Sequence, residues 1–173
     1  MSGVDILNSM NIHPIFVHFP VALLTVYAIL ELIRPKKLLA SHAYTAIKAF
    51  LVILGTLAAY VAAETGDMAS ELMRGQSSVR TILRLHENFA AWTQIIFTVI
   101  AASYIVVLIS RRWKRIPVIT AVAEFIQRGP VIIVLALGGL VFVTLTGALG
   151  GLIVYGPTAD PVMSLVANLF SLQ

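Results

Sequence analysis

The chain has 173 residues, of which 59% are hydrophobic and 12% are charged, and its formal net charge is +4. A soluble domain carries roughly 25% charged residues, so this composition excludes an ordinary soluble domain. The absence of cysteine excludes disulfides, thiolate metal sites, iron–sulfur clusters and c-type haem attachment to this chain. The length suits one compact unit, and we expect residues 1–173 to form a single membrane domain.

Four segments each contain the roughly 20 mainly apolar residues that a membrane-spanning helix needs. They cover about residues 14–33, 44–63, 89–110 and 130–154. Lys48 falls in the first turns of the second segment, where its side chain can snorkel to the membrane surface. The expected fold class is therefore all-α: an integral membrane four-helix up-down bundle.

Two shorter stretches have helical patterns. Residues 161–172 carry apolar side chains on one face and Ser164, Asn168 and Ser171 on the other. This pattern predicts a short interfacial C-terminal helix on the outer membrane surface. Residues 116–127 are expected either to form a similar helix on the inner surface or to extend the fourth span.

The distribution of basic residues predicts the orientation in the membrane. Basic loops remain in the cytoplasm, and the inner side is therefore assigned to the two connections that are rich in Lys and Arg. Both termini and the 64–88 connection are then predicted to lie outside, with the protein in the plasma (inner) membrane. Nine of the twelve Lys and Arg residues fall on the inner side: Arg34, Lys36, Lys37, Lys48, Arg111, Arg112, Lys114, Arg115 and Arg128.

Up-down topology brings four unusual segments to the outer end of the bundle. The first helix opens with His13 to Pro20, and the second ends in Glu64 to Asp67. The third opens with His86 to Asn88, and the fourth ends in the glycine-rich stretch Gly147 to Gly156. Three of the four histidines are therefore predicted to converge, whereas His42 lies in the inner connection.

Each histidine has a functional and a structural interpretation. His18 lies one turn inside the apolar segment, where an ionisable residue is costly and suggests function; the alternative is a neutral ring bonded to a backbone carbonyl. His13 either ligates or only shapes the helix start before Pro14, and His86 either ligates or is solvated. His13 and His18 are five residues apart, which places them about 140° apart around a helix, so only one of them is expected to face the core. His18 is favoured, because it lies deeper in the apolar segment and burying it there without a partner is more costly.

The remaining outer-face residues are also open to two interpretations. Gly147 and Gly151 form a small-xxx-small pair to which Gly150 adds, and this is typical of close helix packing in lipid. Alternatively, the missing side chains leave room for a flat macrocycle. Asp67 is either an ordinary loop residue or a metal ligand. Glu64 is either a metal ligand or an ion-pair partner of Arg84.

These segments resemble a bacterial and archaeal membrane family catalogued as domain of unknown function 2231. The similarity rests on four motifs in order: His13 to Leu24, Gly66-Asp67, His86, and Gly150 to Tyr155. The family often has a histidine after that tyrosine, where this chain continues Gly156-Pro157-Thr158. Relatives resembling this family are found joined to cytochrome c or Rieske-type modules, and the resemblance therefore implies electron transfer by association.

The leading functional interpretation is a membrane electron carrier that holds haem b near its periplasmic face. Two histidines from different helices of a bundle can clamp haem iron from both sides, which leaves no open position on the iron. No catalytic residues are expected. His18 and His86 are the predicted iron ligands, with His13 as a substitute. Gly147, Gly150 and Gly151 are predicted to lie beside the macrocycle.

The expected surroundings are the lipid bilayer and a redox partner, either a cytochrome c, another complex subunit or quinol, and no nucleic acid. If quinol is the donor, Glu64, Asp67 or Tyr60 would take its protons.

Two other functions are left open. One is a non-haem site for a single metal ion, formed by the three histidines with Asp67 or Glu64. The other is a structural subunit of a respiratory complex. Whether the chain is part of an enzyme is not decided; an electron carrier or a subunit of an oxidoreductase complex is favoured.

Overall fold

The computed structural model describes residues 13–34, 38–39, 41–73, 79–112 and 117–172, without the side chains of 72–73 and 111–112. The basic residues 36–37 and 114–115, which contribute to the predicted orientation, therefore lie outside it. The helices are α1 His13–Ile33, α2 His42–Met73, α3 Arg80–Arg112, α4 Pro117–Ile126, α5 Gly129–Tyr155 and α6 Pro161–Leu169. No strand occurs in the described ranges. Four helices are long and apolar enough to cross a membrane, which confirms the all-α membrane bundle.

The four long helices form a square bundle. α1 packs against α2 and α5, and α3 packs against the same two helices, so α1 and α3 lie on one diagonal. Large apolar side chains such as Ile15, Phe50 and Val134 remain exposed on the outside of the bundle. A membrane protein contacts the bilayer through such side chains, because lipid is as apolar as they are.

Both helices that border the 64–88 connection extend further than hydropathy predicts. α2 ends at Met73 rather than near 63, and α3 begins at Arg80 rather than near 89. Hydropathy marks only the membrane-crossing part, whereas good helix formers such as Glu71 and Leu72 carry α2 beyond it. As a result Asp67 and His86 lie within helices and not in a loop.

The two short helices have different roles. α4 is a separate helix that packs mainly against α3, and the Ser110 and Thr120 hydroxyls are 2.8 Å apart across that contact. The chain therefore turns before α5 instead of extending it. α6 begins at Asp160, whose carboxylate accepts hydrogen bonds from two backbone N–H groups of the first turn. It buries Val166 and Ala167 against the end of the bundle where α5 ends, and it exposes Leu165 and Leu169.

The half of the bundle toward the end of α1 has a fully buried core in which helices approach closely. Leu24, Tyr27, Phe97 and Ile100 are completely buried there. α5 comes near α3 at Gly139, where an added Cβ would lie 2.7 Å from Cζ of Phe97. A side chain at that position would displace the ring, so the close approach of the two helices depends on glycine.

We expect Gly139→Val to destabilise the protein by about 1–3 kcal/mol, because overpacking a dense core forces its neighbours to move. Gly138→Val is the matched control, since an added Cβ there meets only Cδ1 of Ile96 at 3.9 Å. The comparison requires thermal unfolding of both variants in detergent. Equal stability of the two variants would contradict the described packing.

An ionic cluster is buried at the end of this core, beside the last turn of α1. Both Glu31 oxygens are paired: Oε1 with the Arg34 guanidinium and Oε2 with the Lys48 ammonium, each at 2.7 Å. The Tyr104 hydroxyl donates to Oε2 at 3.2 Å, so the carboxylate joins α1, α2 and α3. Lys48 therefore does not snorkel as predicted, because its only described carboxylate partner lies inside the bundle and leaves the residue 6% exposed.

Candidate functional site

His13 is held by the end of α2. Its Nδ1 lies 3.1 Å from Oγ1 of Thr65, and the Thr65 hydroxyl donates to the carbonyl oxygen of Ala62 at 2.9 Å. The His13 ring also hydrogen-bonds with the backbone of Ala62, so two neighbouring residues of α2 hold it in place. Gly66 makes room for the ring, since a Cβ there would lie 3.1 Å from Cε1 of His13.

His86 is held in the same manner by α5. Its Nδ1 lies 2.9 Å from the carbonyl oxygen of Thr146, and a carbonyl can only accept. Nδ1 therefore carries the proton, and Nε2 carries the lone pair. A Cβ at Gly150 would lie 3.2 Å from Cε1 of His86, so the absence of a side chain at this glycine leaves space for the ring. Such a hydrogen bond to one ring nitrogen is the usual way in which proteins orient the other as a ligand.

The two histidines face each other across the bundle. They lie on the diagonal helices α1 and α3, and their ring centroids are 6.5 Å apart with an angle of 89° between the ring planes. Each ring is fixed by a different neighbouring helix, α2 for His13 and α5 for His86. All four long helices therefore contribute to the placement of one pair of imidazoles.

A cavity of about 350 Å³ contains this pair. Its deeper wall is apolar and includes Leu24 and Val143, whereas exposed Asp67 and Glu87 lie at its rim. The volume falls within the range of about 300–1,000 Å³ that is typical of small-ligand sites. An apolar cavity with two oriented imidazoles and two carboxylates at the rim can bind a cationic or metal-containing group.

His18 does not line this cavity. The ring is exposed, and its Nδ1 contacts the carbonyl oxygen of Pro14 one turn earlier. The structure thus turns His13 inward, opposite to the orientation favoured from the sequence. The physical reason is that a backbone carbonyl satisfies the His18 ring at the surface, so its depth in the apolar segment requires no buried partner. His42 is also exposed, at the other end of the bundle.

The three glycines predicted to flank a macrocycle lie in three different environments. Gly150 lies against His86 and lines the cavity. Gly151 instead accommodates Met163 of α6, whose Cε would overlap any side chain there. Gly147 has no atom within 4 Å of an added Cβ and faces outward. Only Gly150 therefore lies where the predicted cofactor role requires it.

The predicted acidic and phenolic groups are also separated. Asp67 lines the cavity, whereas Glu64 is exposed outside it. Tyr60 points away as well, and its hydroxyl lies 3.0 Å from Oγ1 of Thr98. Within the part of the chain that the structure describes, no three His, Cys, Asp or Glu residues converge closely enough to hold a metal ion.

Thr65 and Thr146 contact the two cavity histidines, and the sequence analysis did not single them out. They fix the two histidine rings, one through a hydroxyl and the other through a backbone carbonyl. A threonine in an apolar helix usually bonds its own preceding turn, and both of these also do so. Nothing in the sequence distinguishes them from the other threonines, because the pairing depends on helix rotation.

Comparison with known proteins gives one match. A family model described as Predicted membrane protein (DUF2231) matches residues 9–159. That range contains both cavity histidines and all four long helices, and it confirms the resemblance found from the sequence motifs. No curated protein and no solved structure matches the chain.

Proposed function

Because the chain belongs to the DUF2231 family of predicted membrane proteins, we propose a function for it within the membrane: electron transfer through a haem b held by His13 and His86. One observation carries the proposal. Two imidazoles on diagonal helices lie 6.5 Å apart between ring centroids in one cavity, and a neighbouring helix engages Nδ1 of each ring. Axial ligation by two imidazoles is characteristic of electron-carrying b-type haem.

The spacing of the rings fits two ligands on opposite sides of one metal. A metal–nitrogen bond of about 2.0–2.1 Å plus about 1.1 Å from nitrogen to ring centre gives roughly 6.3 Å between ring centres. The observed separation is 6.5 Å. This distance supports the proposal that both rings would hold one haem iron.

The shortage of further ligands favours haem over a bare metal ion. A protein site for zinc, copper or iron ordinarily uses three or four side chains. The described residues bring no three His, Cys, Asp or Glu groups together. Haem needs only two axial ligands from the chain, because the porphyrin supplies the other four.

The chain's own residues would control this site in three ways. Thr65 and the Thr146 carbonyl hold the rings in one orientation, which limits the rearrangement that accompanies electron transfer. The apolar wall of the cavity, which includes Leu24 and Val143, would keep water away from the bound group. Asp67 and Glu87 at the rim provide proton acceptors beside the site. Bound haem supplies reversible one-electron chemistry.

The proposed setting is the plasma membrane, with the histidine cavity and both termini on the outer side. The nine-to-three division of basic residues supports this orientation. A periplasmic cytochrome c, another complex subunit or quinol would then exchange electrons with the site.

The orientation is tested with reporter fusions. A periplasm-active reporter fused after Gln173 is expected to be active, whereas the same reporter inserted next to Leu38 is expected to be inactive. A cytosol-active reporter at the same two positions serves as the control and should give the reverse result. Cytosolic activity after Gln173 would move the cavity to the inner side.

The visible spectrum of the detergent-purified protein tests the proposed cofactor. We expect a Soret band and, on reduction, sharp α and β bands. A colourless protein that also cannot be reconstituted with haem would contradict the proposal. Metal analysis of that colourless protein would then separate a metal-ion site from a structural subunit.

A further inference from the structure

The seams of the square bundle, where two neighbouring helices meet, differ at the level of the histidine pair. The seam between α1 and α2 is bridged by the contact of His13 with Thr65. The seam between α3 and α5 is bridged by the hydrogen bond from His86 to the Thr146 carbonyl. Within the described parts of α2 and α3, no hydrogen bond or ion pair joins these two helices at that level.

Two contacts hold α2 and α3 together deeper in the bundle. The Gln94 amide donates to the carbonyl oxygen of Ala59 at 3.1 Å, and the Tyr60 hydroxyl lies 3.0 Å from Oγ1 of Thr98. Because Gln94 is eight residues from His86, the first contact lies about 12 Å further along α3. Ala59 and Gln94 also line the cavity, so they mark the end of the cavity along this seam.

Between that contact and the rim, the seam is lined by alanine. Ala63 on α2 and both Ala90 and Ala91 on α3 line the cavity, whereas branched Val21 and Val143 line it where α1 meets α5. Small residues ordinarily let two helices approach closely, but these border an empty space and leave a gap. Ala91 is exposed as well, so the cavity reaches the surface of the bundle there.

This opening faces the bilayer and not water. Ala91 lies five residues beyond His86, about 7.5 Å further along α3, and within the apolar segment 89–110. The neighbouring Trp92 and Ile95 are exposed on the outside of the same helix. Large apolar side chains exposed on a spanning helix contact lipid, so the gap beside them opens laterally into the membrane.

We propose that the seam between α2 and α3 is a lateral entrance through which haem reaches the histidine pair from the bilayer. This inference rests on the proposed electron-transfer function and adds the route by which the site is filled. Lipid chains that rest against the opening offer the imidazoles no metal to ligate, so entering haem displaces them.

The charge of the rim favours the lateral route over the aqueous mouth of the cavity. Haem is an amphiphile with an apolar macrocycle edge and anionic propionates. Asp67 and Glu87 at the rim repel an anion that approaches from water, and they come from α2 and α3, so neither can close the seam by pairing with the other. The alanines of the seam present only apolar surface to the macrocycle edge.

Entry is measured with full-length apoprotein in liposomes whose bilayer already contains haem, by the growth of the Soret band. Ala91→Phe places a phenyl ring in the opening and should slow haem uptake at least about tenfold, because the helices must then separate further before the macrocycle passes. The same variant purified after expression with haem should have wild-type occupancy, since a slower entry leaves the bound state unchanged.

Ile95→Phe is the matched control. It adds the same ring to the exposed side of α3 one turn further on, where the residue does not line the cavity, and should take up haem at the wild-type rate. Equal uptake rates in Ala91→Phe and the wild type would overturn the inference. Loss of haem from expressed Ala91→Phe would also overturn it, because Ala91 would then belong to the binding site and not to its entrance.

A thiol probe tests the opening without haem. The chain has no cysteine, so Ala90→Cys introduces a single thiol in the cavity wall. An alkyl maleimide dissolved in the liposome bilayer should label this thiol. Adding Ala91→Phe to the same chain should slow labelling at least about tenfold, whereas adding Ile95→Phe should not. Equal labelling rates in all three proteins would contradict a lateral opening.

The two measurements separate the entrance from the cofactor. Labelling that Ala91→Phe slows, in a protein that never takes up haem, would contradict both the proposed cofactor and haem entry while leaving the opening itself established. Haem uptake that Ala91→Phe does not slow would contradict the entrance and leave the proposed function standing.

Discussion

His13→Ala and His86→Ala are each expected to remove haem from the purified protein almost completely. Each variant deletes one of the two imidazoles whose ring centroids lie 6.5 Å apart in the cavity. Loss of even an outer-shell partner typically lowers metal affinity 10–100-fold, so loss of an axial ligand should lower haem occupancy by at least about tenfold. Haem per polypeptide, measured by absorption after protein quantification, provides the comparison.

The other two histidines supply matched controls. His18→Ala and His42→Ala remove exposed rings outside the cavity and should retain wild-type haem occupancy. The His18 control is the more informative, because sequence reasoning favoured that residue as the ligand. Haem loss in His18→Ala with full occupancy in His13→Ala would reverse the assignment derived from the structure.

Glu31→Gln is expected to cause the largest loss of stability among single substitutions in the bundle. The carboxylate is 1% exposed and neutralises two cations, Arg34 and Lys48, and Lys48 is itself 6% exposed. Removing one partner of a buried ion pair typically costs about 3–5 kcal/mol, because the remaining charge is buried without compensation. The effect should appear in thermal or denaturant unfolding in detergent micelles.

Lys48→Met should be less damaging than Glu31→Gln. Glu31 would keep Arg34 as a partner, whereas Glu31→Gln leaves two cations without a carboxylate. The double variant Glu31→Gln/Lys48→Met should recover part of the stability lost in Glu31→Gln, because it removes one of the two cations that no longer have a carboxylate partner. If Glu31→Gln is as stable as the wild type, the cluster does not tie the three helices together.

The sequence predicted the architecture well because the hydropathy of a spanning helix is averaged over about 20 residues and does not depend on any single side chain. Four long apolar segments specify four spanning helices whatever their rotation, and up-down connectivity then brings their outer ends together. The convergence of His13, His86 and Gly150 follows from topology alone. Helix boundaries were less accurate next to the 64–88 connection, where α2 and α3 continue beyond the apolar segments.

The choice between His13 and His18 could not be made in the same way. It depends on the rotation of α1 about its axis, which packing with α2 and α5 fixes and local sequence does not. The argument from depth also failed, because the Pro14 carbonyl satisfies His18 without any tertiary partner. Glu31 and Lys48 did offer a signal: opposite charges at the end of one helix and the start of the next are well placed to pair.

The most direct test of the central claim is the electron paramagnetic resonance spectrum of the oxidised, haem-loaded protein. The imidazole planes of His13 and His86 are 89° apart. Perpendicular ligand planes make two iron d orbitals nearly equal in energy, which leaves orbital angular momentum unquenched and gives a strongly anisotropic low-spin signal. We predict that signal, with its loss in His13→Ala and His86→Ala. A high-spin signal, or a rhombic low-spin signal that survives both substitutions, would contradict ligation by this pair.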